Sequence, residues 1–178
     1  MNDTVVIDTN VLLVANGTDL KLSKKCQTAC VTALRARQQR GRVALDDGHR
    51  ILREYLNKTH PNQPKGPGDS FLKWLLQNRG NQGRVALVPI TEIEPDRFAE
   101  FPDLELEARF DPPDRKFAAV ANAHDAKPPI WQAADCKWLD WWHALAVKGV
   151  DVHFLCPEDA CVSYKRKFPG KPDPVLPP

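Results

Sequence analysis

The sequence predicts an α/β protein: a parallel sheet of about five strands with helices on both faces. Two observations carry this. Short β-branched runs alternate along the chain with stretches of helical spacing, the pattern of parallel strands joined by helical crossovers. Three of the strand runs also end in an acid, Asp8, Asp46 and Asp135. In a parallel sheet these ends share one edge, the edge outside which open α/β sheets place their ligand crevice.

Val5-Val6-Ile7-Asp8 reads as a strand buried on both faces, with Asp8 at its carboxyl end. Asp8 equally suits the N-cap of the short helix expected over residues 11–15. Ser23 caps a longer helix to about residue 40, with Cys26, Ala29, Cys30, Ala33 and Leu34 at helical spacing, and Gly41 stops it. Residues 42–46 form a second strand, and Asp47 caps a helix over residues 48–59 with the stripe Ile51, Leu52, Tyr55 and Leu56. Glu54 lies on the margin of that stripe, flanked by Arg50 and Lys58 at ion-pair spacing.

Residues 61–68, rich in Pro and Gly, read as a surface loop free to move, followed by a short helix over residues 71–76. Residues 85–90 form a third strand, which Pro89 confines to an edge or to its own end. A long acidic connection over residues 92–110 carries a turn of helix near Phe98. Asp111 before Pro112 marks a helix start. Asp114, Phe117, Ala118, Ala121 and Asp125 share one face of that helix, so Asp114 heads its inward stripe; the alternative is a capping-box acid. A fourth strand over residues 129–135 ends at Asp135, a helix covers residues 138–147, and a fifth strand covers residues 150–155. Residues 1–156 then form the domain and residues 157–178 a partly irregular extension, with no structure assigned to the last ten.

With 178 residues and 42% hydrophobic content, one domain with a real core is expected. No run approaches a membrane span and no signal-peptide pattern opens the chain, so the expected setting is cytoplasmic. Five scattered cysteines argue against a disulfide framework. Cys26 and Cys30, one helical turn apart, are expected as buried thiols rather than metal ligands. The net charge of +2 is unevenly spread. Residues 21–84 hold 14 Lys/Arg against 4 acids, residues 92–114 hold 9 acids against two arginines, and Lys165, Arg166, Lys167 and Lys171 form a last basic cluster. That asymmetry suits a nucleic-acid binder with an acidic centre, although solvated helix faces give similar counts. Trp131, Trp138, Trp141 and Trp142 are expected in packing rather than base stacking, and the five histidines show no metal spacing.

If the first and fourth strands are neighbours, Asp8, Asp114 and Asp135 converge at a switch point. Clustered carboxylates repel one another and stay ionised only around a cation. A hard divalent ion, Mg²⁺ or Mn²⁺, fits oxygen ligands of this kind. Such an ion can bind a phosphodiester, acidify a water and stabilise in-line displacement.

On these residues the chain resembles the PIN-domain ribonucleases. The shared features are Asp8-Thr9-Asn10-Val11-Leu12 at the first strand, Glu54 within Ile51-Leu52-Arg53-Glu54-Tyr55, the run from Asp114 to Ala121, and Asp135 after Gln132-Ala133-Ala134. The similarity spans about residues 4–156. It implies a Rossmann-like three-layer α/β/α sandwich, Mg²⁺ or Mn²⁺, and endonucleolytic hydrolysis of RNA. It further implies Asp8, Glu54, Asp114 and Asp135 as the catalytic acids, with Asp8, Asp114 and Asp135 as metal ligands and Asn10 holding Asp8. Many relatives are toxins paired with an antitoxin, so RNA, a protein inhibitor and a second copy of the chain are the partners it brings to mind. The family commonly has a further acid two residues after the fourth; Lys137 stands there, and Asp140 is the candidate substitute. Two rival readings remain: a non-catalytic RNA-binding or scaffold module of the same fold, and a phosphatase of the aspartyl-phosphate type. The phosphatase would want an acid at the position of Asn10.

Overall fold

The computed structural model describes residues 3–178; residues 1 and 2 of the expected 1–156 domain lie outside the described residues. Five parallel strands form the sheet: β1 (Thr4–Ile7), β2 (Arg42–Asp46), β3 (Val85–Val88), β6 (Ile130–Gln132) and β7 (Val152–Phe154), in the order β3-β2-β1-β6-β7. Val6, Ile7, Val43 and Ala44 are wholly buried, as strands covered on both faces must be. β1 lies between β2 and β6, so the condition for a switch point is met, and the chain departs from the β1–β6 boundary in opposite directions. Right-handed crossovers put the connections to β2 and β3 on one face and those to β6 and β7 on the other. The result is the predicted sandwich with helices flanking the sheet.

On one side, α1 (Thr9–Ala15), α2 (Lys24–Gln39) and α4 (Pro67–Asn78) pack on one another, with α3 (Arg50–Lys58) against β2 and α1. Gly68 makes the α1–α4 contact possible, since a Cβ there would stand 2.2 Å from the Leu12 carbonyl oxygen. α6 (Arg115–Ala123) lies across β1, β2 and β6, its Phe117, Ala118, Ala119, Val120 and Ala121 fully buried. Phe110 stacks on Trp141 and meets Trp138 edge-on, so these two tryptophans pack as expected.

Several local expectations need correction. Asp47 does not cap α3; Asp46, wholly buried, does, accepting from the N–H groups of Arg50 and Ile51 at 2.8 Å. α4 begins at Pro67, and the loop before it is fastened rather than free, because Asp69 accepts from the N–H groups of His60 and Lys65. The acidic connection folds as a hairpin, β4 (Glu92–Glu94) with β5 (Arg97–Phe98), and a short helix α5 (Leu104–Glu107). Its acids are paired, Glu92 with Arg50 of α3 and Glu107 with Arg97 of β5, both at 2.8 Å. The helix expected over residues 138–147 is a 3₁₀ segment (Cys136–Asp140) followed by α7 (Trp142–Val147).

α8 (Pro157–Lys167) follows β7 directly and packs on the 3₁₀ segment through buried Ala160 and Tyr164. Residues 169–178 have no regular structure, as expected, but Trp142 Nε1 donates to the Val175 carbonyl at 2.8 Å. Pro178 lines a cavity with Pro129 and Asp151, which precede β6 and β7. The expectation of free thiols fails for Cys26, which is disulfide-bonded to Cys156, 130 residues away. Cys30 is the buried free thiol expected, its pKa pushed up to about 12 by burial and the nearby Asp159 carboxylate. Among the described residues no helix is long and apolar enough to cross a membrane.

Candidate active site

The site lies where β1 and β6 present their carboxyl ends side by side. Asp8 follows β1 directly and is 4% exposed. It is both a cap and a buried acid: Oδ1 accepts from the Asn10 N–H at 2.8 Å, and Oδ2 accepts from Gln132 Nε2 at 2.7 Å. Asn10 holds this arrangement in turn, its Nδ2 donating to Gln132 Oε1 at 2.5 Å and its Oδ1 accepting from the Ala133 N–H at 2.9 Å. Asn10 thus steadies Asp8 through its own backbone and through the fully buried Gln132. Gln132 was not singled out from the sequence, where an amide near a strand end carries no signal of its own.

Asp114 ends the 3₁₀ turn Pro112–Asp114 and enters α6, but its side chain does not cap that helix. Asp111 makes no side-chain cap either, so the capping-box alternative fails. Asp135 lies three residues beyond the end of β6, not at it, and its Oδ1 accepts from the Lys137 N–H at 3.1 Å, starting the second 3₁₀ segment. Asp114 and Asp135 are half-buried, so the cluster opens to solvent at these two acids.

Glu54 faces the same centre from α3. Its Oε1 accepts from Thr9 Oγ1 at 2.6 Å, and Oε2 pairs with Lys116 Nζ at 2.5 Å. The surface pairs with Arg50 and Lys58 do not form; Arg50 binds Asp46 and Glu92 instead. Lys116 is 6% exposed and also donates to the Pro113 carbonyl. A lysine two residues after Asp114 reads as a surface charge, so sequence gave no hint that it turns inward.

The four acids act on one another electrostatically. Burial pushes the Asp8 carboxyl up to about 7, with the charges of Asp135 and Glu54 adding to it. Burial, then Asp8 and Asp135, push Asp114 up to about 8, while Lys116 pulls it down. Asp135 is raised chiefly by burial and lowered by the Lys137 N–H and the Lys167 charge. The acids do not form a closed cage, because three of them do not bring one oxygen each within 4.8 Å of the others. Asp140 does not join the cluster: Tyr164 Oη donates to its Oδ1 at 2.5 Å and Lys171 Nζ to its Oδ2 at 2.8 Å. Lys137 pairs with Asp111, and its pKa is lowered by burial and by Lys167.

Beside Asp135 and Asn10 opens a cavity of about 520 Å³ whose walls include Lys21, Arg166 and Lys167. The basic stretches on either end of the sequence therefore meet next to the acids, and α8 supplies two of the three cations. Comparison with family models, with curated proteins and with solved structures gave no match.

Proposed function

We propose that this chain is a PIN-type, Mg²⁺- or Mn²⁺-dependent endoribonuclease. The observation that carries the reading is the convergence of Asp8, Asp114, Asp135 and Glu54 at the β1–β6 switch point: the charges of Asp135 and Glu54 help raise Asp8, and those of Asp8, Asp135 and Glu54 help raise Asp114. Buried acids of one sign are costly, and a divalent cation removes the cost. The donors suit such an ion, being carboxylate oxygens only.

Asp8, Asp114 and Asp135 are the residues that would hold the ion, with Gln132 and Asn10 fixing the orientation of Asp8. Once bound, the ion supplies charge neutralisation at the scissile phosphate and acidifies the attacking water. Glu54, tethered by Thr9 and Lys116, is placed to orient that water or accept its proton. Lys21, Arg166 and Lys167 receive the flanking phosphates, which makes binding salt-dependent. Asn10 argues against the phosphatase alternative: the group where that chemistry needs an acid is an amide committed to Gln132 and Ala133. The proposal includes a cytoplasmic setting, RNA as substrate, and a protein inhibitor or second copy as further partners.

The test is cleavage of a mixed RNA pool by purified protein in Mg²⁺ or Mn²⁺, with Asp114→Asn as control. Cleavage that stops with chelator and falls at least ~100-fold in the variant is expected. RNA binding without cleavage would favour the scaffold reading, and undiminished cleavage by the variant would refute this site.

A further inference from the structure

Away from the acids, the described residues assemble a second group of metal-capable side chains. Cys26, Cys30 and Cys156 bring one sulfur each to within 4.8 Å of one another, all three buried. They come from two elements far apart in sequence. Cys26 lies in the first turn of α2 and Cys30 one turn further on, while Cys156 is the N-cap of α8. The amino termini of two helices, of 16 and 11 residues, thus meet at the sulfurs. Their partial positive charge favours thiolate at Cys26 and Cys156, whereas burial and Asp159 keep Cys30 a thiol until an ion displaces its proton.

Cys30 Sγ stands 3.9 Å from Cys156 Sγ. Two thiolates at the usual zinc–sulfur length of about 2.3 Å lie roughly 3.8 Å apart around a tetrahedral ion. The third thiol is therefore already at ligand spacing from Cys156, and within 4.8 Å of Cys26. A cavity of about 150 Å³ borders Cys26 and Cys156, with Glu158, itself paired with Lys25 at 2.9 Å, in its wall, and offers the site an entry.

We propose that Cys26, Cys30 and Cys156, once the disulfide is reduced, bind one thiophilic cation of the zinc class, its fourth position facing the Glu158 cavity. Disulfide and ion exclude each other, since Cys26 and Cys156 serve both. Reduction by a dithiol adds two electrons and two protons across the sulfur–sulfur bond, and the dithiol leaves as its own disulfide. Binding then releases the thiol protons to solvent. Sulfur ligation separates this centre from the oxygen-lined acid site, which a hard ion prefers. It ties the start of α8, whose far end carries Arg166 and Lys167, to α2.

The experiment uses full-length protein reduced with dithiothreitol, desalted anaerobically and titrated with Cd²⁺. The readout is the ultraviolet thiolate-to-cadmium charge-transfer band, which carboxylate binding does not produce. One equivalent per chain is expected in reduced protein and none in oxidised protein. Cys30→Ser should weaken binding at least tenfold while still forming the Cys26–Cys156 disulfide, seen as a two-proton mass difference on reduction, which shows that the variant folds. Cys161→Ser, altering a thiol outside the group, should titrate as wild type. No band in the reduced wild type, equal binding by oxidised protein, or wild-type affinity in Cys30→Ser would each overturn the proposal.

Discussion

Asp8 has both oxygens satisfied by neutral donors, so its hydrogen bonds fix its direction without cancelling its charge. Its carboxyl at about 7 and that of Asp114 at about 8 stand well above the ordinary 3.8. Between those values the folded chain keeps protons that the unfolded chain has released. The stability this contributes is complete below about pH 4 and lost as pH climbs through about 7 to 8. In chelator the thermal midpoint should therefore fall from about pH 4 to about pH 8. Mg²⁺ or Mn²⁺ should restore more of it at the upper end, because the ion takes the place of the protons. A midpoint that rises across that window in chelator would contradict the geometry. Gln132→Leu removes the one side-chain donor to Asp8 and strands the Asn10 amide. Loss of such an orienting partner typically lowers metal affinity or activity about 10–100-fold, to be read from initial rates against Mn²⁺ concentration. Asp8 and Asp114 were legible from their places at a strand end and a helix stripe, whereas the strand read as far as Asp135 stops at Gln132. Gln132, Thr9 and Lys116 were not, because an amide, a hydroxyl and a lysine acquire their roles only from what the fold brings opposite them.

Between elements, the Glu54–Lys116 pair joins α3 to α6 beneath the site, with Lys116 side-chain exposure of 7% and Glu54 of 26%. Lys116→Met would leave Glu54 facing the other acids alone and should destabilise by about 3 kcal/mol, measured by urea unfolding. Adding Glu54→Gln should return part of that loss, since the second change removes the stranded charge. A double variant at the sum of the two single costs would show that the pair does not couple the helices. The same scale explains which elements sequence patterning revealed. α2 was readable from end to end because Ser23 caps it, accepting from the Cys26 N–H at 3.1 Å, and Gly41 follows with φ at +91°, a conformation that ends a helix. The β4–β5 hairpin was not, because its strands are short and its acids look like a solvated linker until Arg50 arrives from α3 and Arg97 turns to meet Glu94 and Glu107. α8 escaped notice because its inward positions, Ala160 and Tyr164, lie among charged neighbours and mimic a polar tail.

For the molecule as a whole, the strand order builds the candidate site, since it places β6 beside β1 and brings acids over 120 residues apart to one edge. The alternation of strands and helices foretold a parallel sheet but not that order, which left the adjacency of the first and fourth strands a condition. The Cys26–Cys156 bond did not, since no spacing rule links cysteines 130 residues apart. Charge is likewise organised globally: Lys21 from before α2 and Arg166 and Lys167 from α8 share one cavity wall. Replacing Arg166 and Lys167 by Ala should weaken RNA binding across sequences. It should also flatten the plot of log affinity against log salt by about 0.7 per charge removed on single strands, measured by fluorescence anisotropy. An unchanged slope would remove α8 from the RNA path. The final residues are pinned by Trp142 so that Pro178 rests near Pro129 and Asp151, at the amino rim of the sheet. A reporter or immobilisation handle joined after Pro178 would consequently emerge at the rim opposite the strands' carboxyl ends, leaving the cavity beside Asp135 unobstructed.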